Sequence, residues 1–241
     1  MAGRLTAIDM IHDTSAQTAI AASSLRSLPP EIIEDLTTGG RRLRIDARTT
    51  IHREGENAPH LELVVTGLVR VQVSAPDGRM LTVRYCRAGD LLGAATLYAP
   101  VARPFSIQAV SYAELLSFLP AAVRARADAD PRVAQALLVE TSARVLSFVA
   151  EFPSHAFGNV PQRIARHLLD LAMDEQRPSE LVARISQQDL ADAVGSVREV
   201  VVRVLRDLRE AGVVKTGRSG IVIANAERLS AIASPPWNES S

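Results

Sequence analysis

The chain has 241 residues, 47% of them hydrophobic, and carries 27 basic against 27 acidic side chains, a formal net charge of zero. That composition can bury a real core and is expected to fill two domains, and it speaks against DNA binding by bulk electrostatics alone. Its one cysteine, Cys86, excludes a disulfide framework, an intramolecular Cys-X-X-Cys pair and a cysteine-ligated iron–sulfur cluster within one chain.

In chain order, residues 1–22 carry no patterned signal and are expected to be a flexible end, as are residues 235–241. Residues 23–130 are expected to form a sensor domain. Between about Arg41 and Leu119 lie short β-rich runs, including Leu61–Thr66, Leu68–Ser74, Met80–Cys86 and Glu114–Leu119, with turn signals at Gly55, Gly67, Asp77-Gly78 and Gly89-Asp90. Regular strands at this spacing predict an antiparallel roll or barrel, with Cys86 as a small buried hydrophobe at a strand end. The histidines His12, His52, His60, His155 and His167 are scattered, which fits surface or capping groups better than haem ligands. No apolar run approaches the roughly 18 residues of a membrane span and no secretory leader is visible, so a cytoplasmic protein is expected.

The periodicity changes at Pro131. Ala134, Leu138, Thr141, Val145, Phe148 and Phe152 repeat at alternating spacings of four and three, the narrow seam a two-stranded coiled coil needs. The alternative is a single helix lying on the roll. Pro153 lacks an amide donor and clashes with the preceding turn, so the helix is expected to end or bend there, with a hinge over residues 153–161. Residues 131–157 then make up a dimerisation helix and hinge. Asn159 is expected to cap a further helix, Val160–Asp174, with Ile164, Leu168 and Leu171 along its apolar face.

Residues 158–234 hold the most informative stretch, Ile185–Ile223. Ser186 with Asp189, and Ser196 with Glu199, each place a hydroxyl N-cap before an acidic N3 residue. They predict helices Gln187–Ala193 and Val197–Ala211, joined by a turn at Gly195 and closed by Gly212. In the second helix Val197, Val200, Val201, Val204, Leu205 and Leu208 form an inward stripe, while Arg198, Glu199, Val202, Arg203, Arg206 and Arg209 face outward. Guanidinium groups with one carboxylate match the base edges and phosphates of a major groove; alternatively Glu199 and Arg203 form only a surface ion pair. Val213–Thr216 and Ile221–Ile223 flank Gly217-Arg218-Ser219-Gly220, a hairpin whose tip offers a cation to a phosphate. Between Gly195 and Gly220 six cations stand against three anions, a local charge of +3 that a dimer doubles.

With roll, dimer helix, hinge and winged helix in this order, residues 29–226 resemble the CRP/FNR (catabolite activator / fumarate-nitrate regulator) family. The most specific motif is Arg198-Glu199 followed by Arg203. The resemblance implies an α+β fold: an antiparallel, cyclic-nucleotide-binding-like β-roll, a long dimerisation helix and a C-terminal winged helix-turn-helix. It implies a homodimer on near-palindromic double-stranded DNA, with RNA polymerase as a partner. Arg198 and Arg203 would then take guanine acceptors and Glu199 would accept from cytosine in a GTGA-like half-site. Val202, bulkier than the small residue usual in the cyclic-AMP-responsive branch, would touch a thymine methyl. Gln188, Arg206 and Arg218 complete the expected DNA-contacting set.

In the sensor half the resemblance implies an effector pocket at Gly93, Ala94, Arg103, Pro104, Phe148 and Val149. The family's glycine-glutamate reads Gly93-Ala94 here, and its arginine-serine reads Arg103-Pro104. Arg103 can pair with a cyclic phosphate. Ala94 cannot accept from a ribose hydroxyl, and Phe148-Val149 replace a polar pair that contacts adenine. Each such loss costs roughly 1.5–3 kcal/mol, so cyclic AMP is disfavoured in the usual pose. The N-terminal cysteine cluster of the oxygen-sensing branch is missing, and no metal is expected. Without a nucleophile elbow, metal-ligand cluster, P-loop or dinucleotide fingerprint, the chain is expected not to be an enzyme. A cyclic-nucleotide-responsive module acting through a protein partner is the alternative, and it leaves the arginine face unexplained.

Overall fold

The computed structural model describes residues 13–57, 59–99, 101–172, 181–217 and 220–234. The chain divides into two compact units, residues 1–71 with 84–147, and residues 72–83 with 148–241.

The first unit is organised by strand alternation. One antiparallel sheet runs β1 (Arg41–Ile45), β8 (Ala113–Phe118), β3 (Leu61–Thr66), β6 (Leu91–Leu92), with Leu43 opposite Leu115 and Leu63 opposite Leu116. The other orders β2 (Thr50–His52), β7 (Ser106–Ala109), β4 (Val69–Ser74) and β5 (Met80–Cys86). Side chains on β3 alternate between two cores. Leu61, Leu63 and Val65 join a cluster with the helices, whereas Val64 joins Val69, Val71, Cys86, Leu92, Ile107 and Leu115 inside the roll. Two of the expected strands, Leu61–Thr66 and Met80–Cys86, form with those bounds. Cys86 is fully buried, and burial pushes its thiol up to about 12.

Helix α1 (Thr14–Ala22) corrects the expectation of a flexible end up to residue 22; residues 1–12 and 235–241 lie outside the described residues. Ala16, Ala19 and Ile20 are buried in the helical core, and Asp13 ties the helix start to β1 through Arg42 Nη1 at 2.7 Å. Small side chains close to a sheet leave little hydrophobic signal, which is why the pattern was silent. Helices α2 (Pro30–Thr37) and α3 (Pro120–Ala129) cover the same core through Ile32, Leu36 and Val123.

Helix α4 spans Pro131–Phe157, so Pro153 does not end it. Proline inside a helix removes one hydrogen bond but can leave the flanking turns helical. The break falls instead at Gly158-Asn159, a narrower gap than the expected hinge. Val133, Ala136 and Leu137 bury one face of α4 in the first unit's core. The seam side is open: Leu138 is 66% exposed, and Val145, Leu146, Phe148, Val149 and Phe152 are also exposed. With apolar residues on both faces, Pro131–Phe152 is long and apolar enough to cross a membrane by length and composition, contrary to the sequence expectation. It also carries the buried Glu140 paired with Arg144 at 2.7 Å, the signature of a helix packed on protein.

In the second unit α5 (Val160–Ala172) starts with a reciprocal cap. Gln162 N donates to Asn159 Oδ1 at 3.0 Å and Asn159 N donates to Gln162 Oε1 at 2.8 Å. The helix is described to Ala172, so the expected end at Asp174 lies outside the described residues. It buries Ile164, Leu168 and Leu171 and packs on α8 (Ala226–Ala233), whose Leu229 is fully buried. Strands β9 (Val182–Ala183), β10 (Val214–Gly217) and β11 (Gly220–Ile223) form an antiparallel sheet of order β10-β11-β9.

Candidate nucleic-acid interface and effector site

Helices α6 (Gln187–Ala193) and α7 (Arg198–Glu210) form the two arms of a helix-turn-helix. Ser186 caps α6, accepting from Asp189 N at 3.0 Å. Leu190, Ala191 and Ala193 face Val201, Val204, Leu205 and Leu208 of α7, all buried, so the stripe on each helix seals the other. The turn is tied by Ser196 N donating to Ala191 O at 2.9 Å, with Gly195 at φ 62°. That bond corrects two expectations. Ser196 belongs to the turn and does not cap α7, whose N-cap is Val197 with no side-chain bond. Val197 therefore stands 55% exposed instead of lying in the inward stripe. At the far end Val213 N donates to Leu208 O and Gly212 N to Arg209 O, both at 2.9 Å, a Schellman closure with Gly212 at φ 70°.

On the outward face of α7, Arg198, Glu199, Val202, Arg203, Arg206 and Arg209 are exposed, as the helical spacing predicts. Among the described residues Arg198, Glu199 and Arg203 make no ion pair. Arg206 lies 3.7 Å from Asp207 and 3.8 Å from Glu210, exposed contacts worth about 0–1 kcal/mol that a phosphate can displace. Arg209 Nη1 donates to Thr216 Oγ1 at 3.1 Å and so links α7 to the hairpin β10–β11, a positioning contact that the spacing alone does not reveal. Gln188 is exposed on α6, its amide donating to Asp192 Oδ1 at 2.9 Å. Lys215 is exposed on β10; Arg218, expected at the hairpin tip, lies outside the described residues.

The expected effector residues divide between the units. In the first unit Gly93 adopts φ 89° at the start of a short 3-10 turn, Ala94–Leu97, and Ala94 is buried. Pro104 is exposed. Arg103 is buried, and its Nη1 donates to Glu56 Oε2 at 2.9 Å and to Arg53 O at 3.3 Å. Its Nη2 lies 2.9 Å from His60 Nδ1, which must accept because guanidinium only donates. Desolvation, together with the charges of His52 and Arg103, holds His60 down to about 3, so the ring is neutral with its proton on Nε2. Across the roll His52 Nε2 meets the buried Glu62 carboxylate at 2.9 Å and 3.0 Å. His52, His60 and His167 are thus half-buried or buried, not the surface groups expected. His52, His60 and Glu62 bring donor atoms within 4.8 Å of one another, but the guanidinium donating to His60 makes this an ion-pair network and not a cation cage. Glu56, His52, His60 and Glu62 carry no motif and were absent from the expected pocket. Phe148 and Val149 are exposed on α4, in the second unit.

A cavity of about 470 Å³ opens beside Arg103, lined by Glu56, Thr96, Leu97, Tyr98 and Arg124 among others.

Two family models match the chain, one after the other along the sequence. A cyclic nucleotide-binding domain model matches residues 42–130 and a Crp-like helix-turn-helix domain model matches residues 162–232. The chain is 34% identical to the transcriptional regulator LdrP of Thermus thermophilus over 190 residues, covering 77% of this chain and 93% of that protein. It is 25% identical to a CRP-like cAMP-activated global transcriptional regulator of Mycobacterium tuberculosis, covering 86% of this chain and 95% of the other. Among solved structures, the c-di-GMP-responsive global regulator CLP of Xanthomonas campestris aligns with a TM-score of 0.69 at 28% identity, over 81% of this chain and 99% of that one.

Proposed function

The chain belongs to the CRP/FNR family of transcription regulators, and from that membership we propose that it is a dimeric, sequence-specific reader of double-stranded DNA whose β-roll controls the spacing of its two recognition helices. The family consists of regulators and not of enzymes. One observation carries the DNA reading: the unpaired Arg198, Glu199 and Arg203 on the solvent face of α7, held between a hydrogen-bonded turn and a hairpin.

The reading assigns Arg198 and Arg203 to guanine acceptors, Glu199 to a cytosine amine and Val202 to a thymine methyl. Gln188, Arg206 and Arg218 position the duplex through its backbone, which carries affinity but no sequence information. The exposed apolar seam of α4 supports pairing of two copies, which sets two α7 helices into successive major grooves about 10 bp apart on a near palindrome. Whatever reshapes the roll then biases arrangements that fit or miss that spacing. Buried Ala94 offers a ribose hydroxyl no acceptor, so cyclic AMP does not bind tightly in the usual pose. RNA polymerase is the partner at the promoter and the cytoplasm the site of action.

Selection of bound fragments followed by gel shifts tests this. Arg203→Ala should cost about 1–3 kcal/mol on the selected operator and relax choice at one base pair. Equal losses on operator and random duplex would refute direct readout.

A further inference from the structure

One charge arrangement in the roll is left over by DNA binding. The Arg103 side chain is only 1% exposed, and a buried guanidinium is tolerated only when its charge is answered. Here the chain itself answers it, through Glu56, the Arg53 carbonyl and neutral His60. The segment bearing Glu56 is fastened to Arg103 by its backbone as well: Gly55 N donates to Arg103 O at 2.9 Å and Arg103 N donates to Glu56 O at 3.0 Å. Of these partners only Glu56 brings a full negative charge, and its side chain is 43% exposed at the wall of the cavity. On the same wall Arg124 donates to Leu97 O at 3.1 Å and meets no carboxylate within ion-pair distance among the described residues.

We propose that Glu56 is a built-in occupant of the roll's anion position: its carboxylate holds Arg103 as a phosphate would, so the chain refuses phosphate-bearing ligands there until that one charge is removed. The proposal rests on the reading of the roll as an effector module and deepens it by naming what fills the module's anion position. A tethered carboxylate competes at an effective concentration of the order of millimolar, without loss of translational freedom. An incoming phosphate must displace it and leave Glu56 to solvent. Once it is displaced, the cavity wall presents the guanidinium groups of both Arg103 and Arg124 to the phosphate.

Glu56→Gln keeps the shape of a partly exposed side chain and removes the charge. Isothermal titration with cyclic AMP, cyclic di-GMP and inorganic phosphate should show no saturable binding to the wild type up to low millimolar concentration. The variant should bind at least one of the three at least about tenfold more tightly, and Glu56→Gln with Arg103→Gln should lose that gain. Inorganic phosphate separates the anion position from recognition of a nucleoside. In thermal denaturation Glu56→Gln should melt below the wild type and phosphate should restore it. Equal binding by wild type and variant, no gain with any probe, or a gain that survives loss of Arg103 overturns the proposal. A parallel gel shift keeps the two readings apart: wild-type chain that ignores DNA sequence sinks the DNA reading and leaves the titration result standing on its own.

Discussion

Removing the two phenylalanine rings of the α4 seam, Phe148→Ala with Phe152→Ala, should abolish the proposed pairing of two copies while leaving each chain folded. The rings lie 6.0 Å apart on the helix, and 50% and 51% of their residues' surface is open in a single chain. A covered phenylalanine buries about 150–250 Å², so each ring has on the order of 100 Å² still to hide, and four rings in a dimer roughly 400 Å². At about 25 cal/mol per Å² that sets a ceiling of about 10 kcal/mol. Ordering and imperfect cover leave only part of it. Even about 3 kcal/mol raises the dimer dissociation constant more than about 100-fold. Sedimentation velocity over a dilution series reads that constant, and gel shifts should show affinity for the full palindrome falling while affinity for one half-site holds. A double variant that sediments as a dimer at the same concentrations as the wild type refutes the assignment of this seam to pairing.

Two further outcomes follow from the local geometry. Ser186→Ala should cost about 1 kcal/mol of stability in the second unit, because it removes a real N-cap, whereas Ser196→Ala should cost only a few tenths; equal losses in urea denaturation would show that Ser196 caps α7 after all. His60 is held neutral down to about pH 3 when folded but takes a proton near pH 6.5 when unfolded. The unfolded state therefore binds more protons in that window, so stability is fully present above about pH 6.5 and falls as pH drops toward 3, by about 3 kcal/mol at pH 4.5. His60→Gln should flatten the dependence of the urea midpoint on pH between 7 and 4.5, and an unchanged slope would remove His60 as its cause.

Several parts of this molecule were legible in its residues because the forces that set them are local. Short β-rich runs over Leu61–Thr66 and Met80–Cys86, set off by turn residues at Gly55, Gly67, Asp77-Gly78 and Gly89-Asp90, declare strands, and Ser186 with Asp189 marks a helix start within one turn. The helical spacing from Val201 to Leu208 put arginines on one face of α7 before any partner was known. Ser196 misled because its own amide, which a cap leaves free to bond locally, is taken by Ala191 O across the turn. Pro153 misled because a proline states what it cannot donate, not whether the surrounding turns hold.

Composition, periodicity and capping chemistry by themselves determined the roll, the long helix and the two-helix reading head, since each depends on neighbours within a few positions. Only the tertiary structure decided that Glu56 and His60, 47 and 43 positions from Arg103, would converge on its guanidinium, and that His52 would reach Glu62 from the opposite sheet. Burial of a charge is settled by whichever groups the packed sheets bring within 3 Å of it, and no interval in a sequence encodes that distance.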